Sequence, residues 1–105
     1  MKKLDHKIRY YPNGNKWYEN YYLNNKYHNE NGPAYIYYYE NGNKMYEMYY
    51  LNSKLHNEKG PAQIYYNKNS NIEYERYYLN GEKIYVNSLK ELKKYIRMLI
   101  LKWIN

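Results

Sequence analysis

Residues 16–23 read KWYENYYL, a tyrosine-rich, β-prone run whose positions alternate between two faces when extended. The alternation returns in KMYEMYYL at 44–51 and IEYERYYL at 72–79. A period of two is that of a strand whose successive side chains point to opposite faces. Each of these runs is preceded by another β-prone run: KIRYY at 7–11, AYIYYY at 34–39 and AQIYY at 62–66. Between the runs lie Asn13-Gly14, Asn41-Gly42 and Asn69-Ser70. Asn-Gly between two β-prone runs predicts a hairpin, because both residues tolerate positive φ. Ser70 in place of glycine predicts a looser third turn. A second turn follows each return strand, at Asn24-Asn25, Asn52-Ser53 and Asn80-Gly81. Gly32-Pro33 and Gly60-Pro61 then break the ladder, since proline sits only at a strand start or edge.

Alternation also separates the faces. Tyr18, Tyr46 and Tyr74 share one face with Tyr22, Tyr50 and Tyr78, and Asn20, Met48 and Arg76 lie between them. The opposite face carries Glu19, Glu47 and Glu75, then Tyr21, Tyr49 and Tyr77, then Leu23, Leu51 and Leu79. Both faces are therefore aromatic, which predicts tyrosine ladders in a single-layer or shallowly curled sheet rather than a sandwich.

The pattern recurs at a fixed step. YYPNGNKWYENYYL, YYENGNKMYEMYYL and YNKNSNIEYERYYL start at Tyr10, Tyr38 and Tyr66, 28 residues apart, and the linkers KYHNENGPAYIY and KLHNEKGPAQIY keep the same spacing. A period in this range signals a stack of units, none of which can bury its apolar face alone. The opening KLDHKIRYY reads as a shortened first unit, with Leu4, His6, Ile8 and Tyr10 echoing Leu55, His56, Ile64 and Tyr66. The expected organisation is one domain over 1–105, with three hairpin units across 1–87 and a capping helix across 88–104.

That helix announces itself by a change of period. Ser88 with Glu91 forms a capping box. At 100° per residue Leu89, Leu92, Tyr95, Ile96, Leu99, Ile100 and Trp103 fall on one face, and Lys90, Lys94 and Arg97 fall opposite, interrupted by Met98 and Leu101. The apolar face is expected to fold back on the last repeat.

Composition narrows the function. Twenty tyrosines and no phenylalanine place nearly all aromatic area on a side chain with a polar tip. Mean hydropathy is −1.21 and no run approaches the roughly 18 apolar residues of a membrane span. The N-terminus has no apolar run after its charges, so a cytoplasmic protein is expected. Without cysteine there is no disulfide, thiolate ligand or cysteine nucleophile. The net charge of +7 is concentrated in the tail, where Lys90, Lys93, Lys94, Arg97 and Lys102 face only Glu91. Such a bias favours acidic partners.

His28 with Glu30 and His56 with Glu58 could hold a metal or exchange a proton. Their repetition instead predicts a turn-fixing role, since stacking needs the same part in every unit and a catalytic site needs convergence once. Glu19, Glu47 and Glu75 are expected to pair with Lys or Arg on adjacent strands. Neither a G-x-S-x-G elbow, a phosphate-binding loop nor zinc spacing occurs. No catalytic, cofactor or metal residue is assigned, and a non-enzymatic role is expected.

The Tyr-Tyr-x-Asn-Gly runs, the glutamate and paired tyrosines of the return strand, and the Leu-His-Asn-Glu-x-Gly-Pro-Ala linker together resemble the MORN family (membrane occupation and recognition nexus), in the longer variant found in bacteria, phages and giant viruses. The resemblance covers residues 4–83, with a period longer than the classical unit. It implies a β-hairpin stack that works as a binding scaffold. We therefore expect a module that acts by occupying a protein partner's surface, with membrane association not expected. Its small size and AT-type residue bias suit a phage or mobile-element inhibitor of a bacterial defence complex, an anti-CRISPR-like protein gripping a protein or nucleoprotein. The alternatives are a single-stranded RNA or DNA binder that stacks bases on tyrosine, and a self-assembling structural repeat. The candidate partner contacts are Tyr18, Tyr22, Tyr46, Met48, Tyr50, Tyr74, Arg76 and Tyr78 on the sheet, with Lys90, Lys94, Arg97, Met98 and Leu101 on the helix.

Overall fold

A computed structural model describes residues 4–104 of the chain. The strands are β1 (Asp5–Tyr10), β2 (Lys16–Leu23), β3 (Lys26–Tyr27), β4 (Tyr35–Tyr38), β5 (Lys44–Met48), β6 (Tyr50–Leu51), β7 (Lys54–Leu55), β8 (Gln63–Tyr66), β9 (Ile72–Leu79) and β10 (Glu82–Ile84), followed by α1 (Leu89–Ile104). They form an open antiparallel meander in the order β1-β2-β4-β5-β8-β9-β10, with β3 beside β2 and a short β6-β7 pair. The molecule measures 56 × 36 × 17 Å, too thin for two packed sheets with their outer side chains.

Short turns set the meander. Asn24 and Asn25, Asn52 and Ser53, and Asn80 and Gly81 all have positive φ, the two-residue geometry whose twist matches its flanking strands. The longer turns repeat more closely than expected. Ser70 occupies the left-handed position of Gly14 and Gly42, at φ 68°. The third turn nevertheless closes with the same two bonds, Asn67 N to Asn71 O at 2.8 Å and Ser70 N to Asn67 O at 3.0 Å. It is strained at Ser70 rather than loose.

Each interior repeat strand comes in two parts. β3 and β4 both lie on the same edge of β2, and the loop at 29–33 leaves the sheet between them. β7 and β8 repeat this with the loop at 57–61. A β-bulge recurs at Trp17 and Met45: Arg9 faces Tyr18 while Tyr10 faces Lys16, and Tyr37 faces Tyr46 while Tyr38 faces Lys44. The extra residue turns Lys16 and Lys44 toward Glu19 and Glu47.

His6 departs from its expected place. In the 28-residue phase it stands where Ala34 and Ala62 stand, not where the linker histidines do. Its ring stacks on Tyr21 at 4.2 Å and its Nε2 bonds Glu19 at 2.9 Å.

Ser88 caps the helix as predicted, with Glu91 N donating to Ser88 Oγ, while the reciprocal bond falls one residue earlier, Asn87 N donating to Glu91 Oε2. It covers the last repeat through its first half. Leu92 is fully buried against Tyr77 and Ile84, with Tyr95 and Ile96 packed alongside. The second half is open, with Ile100 54% and Trp103 89% exposed. The predicted apolar face is thus only half used.

Candidate functional site

The tyrosine face is built by cross-strand neighbours. Directly opposite residues lie close enough for their rings to meet, and here they do so across five strands. Tyr18 stacks on Tyr37 (6.3 Å), Tyr37 on Tyr46 (5.3 Å), and Tyr65 on Tyr74 (4.3 Å), while Tyr46 meets Tyr65 at 5.3 Å with a 38° tilt. The bulge adds Trp17 at one end, its Nε1 donating to Tyr37 Oη at 2.6 Å. Arg76 closes the other end, 4.7 Å over the Tyr74 ring. A second group joins Tyr22, Tyr27 and Tyr50, and Tyr35 links the two.

Because the rings stack on one another, their faces are largely taken by neighbours and their hydroxyl edges line the surface. Burial raises the hydroxyl pKa of Tyr35, Tyr46 and Tyr65; the proximity of Tyr35 adds to the rise at Tyr46, whereas the hydrogen bond between the two opposes it at Tyr35. Tyr27 is pushed up to about 12 for the same leading reason. These four hydroxyls are therefore neutral at physiological pH.

The other face holds the repeats together. Tyr38 Oη donates to Glu19 Oε1, and Tyr66 Oη donates to Glu47. Both carboxylates are buried. Burial alone would raise the Glu19 pKa, but the bonds from Tyr38 and His6 and the charge of Lys16 lower it. The expected cross-strand Lys or Arg partners are thus replaced, and only Glu19 has a cross-strand imidazole, that of His6. The cations come from the same strand, three residues earlier, and the principal donor is a tyrosine of the next repeat. Among the described residues Glu75 has no such donor, and it is exposed.

The linker histidines also act between repeats. His28 Nδ1 accepts from Asn52 N at 3.0 Å and His56 Nδ1 from Asn80 N at 2.9 Å. That leaves each Nε2 facing Glu30 or Glu58, at 3.5 Å. The bond pins the next repeat's tight turn rather than the local backbone. Among the described residues no group of three or more metal-ligating side chains converges.

The candidate contacts fall on two surfaces. Tyr18, Tyr46, Tyr74 and Arg76 belong to the long row; Tyr22 and Tyr50 belong to the second group, where Tyr50 Oη reaches Met48 Sδ at 3.6 Å; Tyr78 is half-buried on the same side. Lys90, Lys94, Arg97, Met98 and Leu101 are exposed on the helix, which packs against Tyr77 and Leu79 on the opposite face. The tyrosine row and the basic helix do not form one site. Trp17, Tyr35, Tyr37 and Tyr65 belong to the row and were not among the expected contacts. The ladder register names the three tyrosines, and the bulge adds the tryptophan. Compared with protein-family models, curated proteins and solved structures, the chain matches none.

Proposed function

We propose that this chain is a non-enzymatic, MORN-like repeat module that binds a protein partner through its tyrosine face. The carrying observation is the row from Trp17 to Tyr74, a preassembled aromatic surface edged with hydroxyls. Tyrosine gives large contact area at low entropic cost, and stacking lowers that cost further by fixing the rotamers before binding. Base stacking needs an open ring face. In this row the interior faces are occupied and Arg76 covers the outer one, which favours a protein surface over single-stranded nucleic acid. An inhibitor of a bacterial defence complex is one form such a module takes.

The test is capture by the tagged chain from host lysate, with and without nuclease, alongside two variants. Arg76→Glu with Tyr74→Ala alters the row at its exposed end, and Met98→Glu alters only the helix. A protein partner that survives nuclease, is lost with the first variant and is kept with the second supports the reading. Recovery that disappears with nuclease, or that ignores the row variant, overturns it.

A further inference from the structure

The two ends of the array are the two halves of one missing strand unit. An interior unit has a short part (β3 or β7), a loop, and a longer part (β4 or β8). The C-terminal end supplies only the short part: β10 lies 28 residues beyond β7 and pairs with Tyr77–Leu79. The N-terminal end supplies only the long part, since β1 lies in the phase of β4. Beyond Ile72–Arg76 no described strand follows. A groove of about 410 Å³ opens there, between Glu75 and Lys83–Asn87.

The unused groups match as well. Within the chain, each repeat is joined to the next by a tyrosine donating to a glutamate, and by two turn asparagines donating to one carbonyl. Those amides are Asn13 and Asn15 to Glu40 O, then Asn41 and Asn43 to Lys68 O. In phase, Glu75, Asn69 and Asn71 are the next acceptor and donors, and Tyr10 and Pro12 O are the preceding complements. Among the described residues the side chains of Tyr10 and Glu75 make no hydrogen bond, and Tyr10 is 55% exposed. β1 opens the sheet and β9-β10 end it, along a molecule 56 Å long. One chain cannot bring its own ends together.

We propose that a second copy of this chain docks its β1 on the open edge of β9, head to tail, in the register used between repeats. Arg9 then faces Tyr74, Ile8 faces Glu75 and Lys7 faces Arg76, as Tyr65, Ile64 and Gln63 face Tyr46, Glu47 and Met48. Tyr10 Oη donates to Glu75, Asn69 and Asn71 donate to Pro12 O, and Arg9 extends the aromatic row. Lys7 opposite Arg76 is the one like-charged pair, and it limits affinity. A heterologous contact of this kind adds copies in a line unless it closes a ring. It leaves the hydroxyl edges of the tyrosine row free, so it stands or falls apart from the partner reading above.

Sedimentation velocity over a wide concentration series tests this. The wild-type chain is expected to grow with concentration. Tyr10→Phe, which removes only the hydroxyl, shifts that growth to about tenfold higher concentration. Tyr10→Glu blocks the head by facing Glu75, and Glu75→Pro blocks the tail, with Glu75→Gln as a milder form. Each blocked variant alone stays at the monomer mass of 13.2 kDa. Mixed in equal amounts, the head-blocked and tail-blocked chains form a two-chain species and nothing larger. A wild type that stays monomeric, a blocked variant that still associates alone, or a mixture that stays monomeric or grows past two chains overturns the proposal.

Discussion

Replacing Tyr66 by phenylalanine keeps a ring at the position and deletes one hydroxyl, so the measured loss reports the bond to Glu47. That carboxylate is buried, and among the described residues its other side-chain contact is Lys44 Nζ at 3.2 Å. A hydrogen bond to a charged group contributes about 1.5–3 kcal/mol, and a buried carboxylate left short of donors falls at the upper end. Tyr66→Phe should therefore cost about 3 kcal/mol. Tyr38→Phe should cost about 2 kcal/mol, because Glu19 keeps His6 at 2.9 Å and Lys16 at 3.3 Å. Tyr10→Phe, at the same place in the repeat but without an acceptor, should cost under about 0.5 kcal/mol in dilute solution. For a chain of 105 residues, about 1 kcal/mol moves Tm by roughly 4–5 °C. Urea denaturation followed by circular dichroism would rank the three variants at unchanged slope. If all three fall within about 0.5 kcal/mol of one another, tyrosine–carboxylate pairs do not join the repeats.

Three further outcomes follow from the same contacts. Ser70→Gly should stabilise the chain by about 0.5–1 kcal/mol, since Ser70 holds φ 68° where Gly14 and Gly42 hold similar angles; thermal melting that is unchanged or lower contradicts the strain argument. Leu92→Ala should cost about 2–5 kcal/mol, because among the described residues Leu92 is the one large side chain sealed completely between helix and sheet; a smaller loss means the helix docks independently of it. Three tyrosines carry the pH dependence: the Tyr27 pKa is pushed up to about 12, and those of Tyr38 and Tyr66 are also raised, burial being the leading cause. A raised value means that this contribution is complete below the unfolded value of about 10 and is lost as pH climbs through the folded value. The denaturation midpoint should accordingly fall from about pH 10 upward, and a midpoint flat across that range rules the coupling out.

The hairpins, both turn classes, the 28-residue phase and the helix start were legible because each depends on neighbours in sequence. Asn-Gly needs only its own φ values, and a capping box only four residues. What was not legible involves choices between elements. Glu19 looks like an ordinary exposed strand carboxylate until Tyr38 of the next repeat lies across it. The bulge at Trp17 leaves the repeat length unchanged and so leaves no mark on the period. The helix's apolar stripe predicts docking but not how far along the helix the sheet extends beneath it, and Leu92 is sealed where Ile100 is open. Likewise the eight sheet contacts could be placed on one face by alternation. Their separation from Lys90, Lys94 and Arg97 depended on which side the chain leaves after Ile84.

At the first two long turns the asparagine amides donate to a main-chain carbonyl, and the residue carrying that carbonyl is exposed: Glu40 in one repeat, Lys68 in the next. A carbonyl is the same whatever side chain stands beside it. Charge can therefore reverse from one turn to the next without weakening the stack. With two strands per unit, such positions recur about every 10 Å along one margin of the sheet. The margin behaves as a row of interchangeable display positions, and an array lengthened by whole units would gain one more with each step.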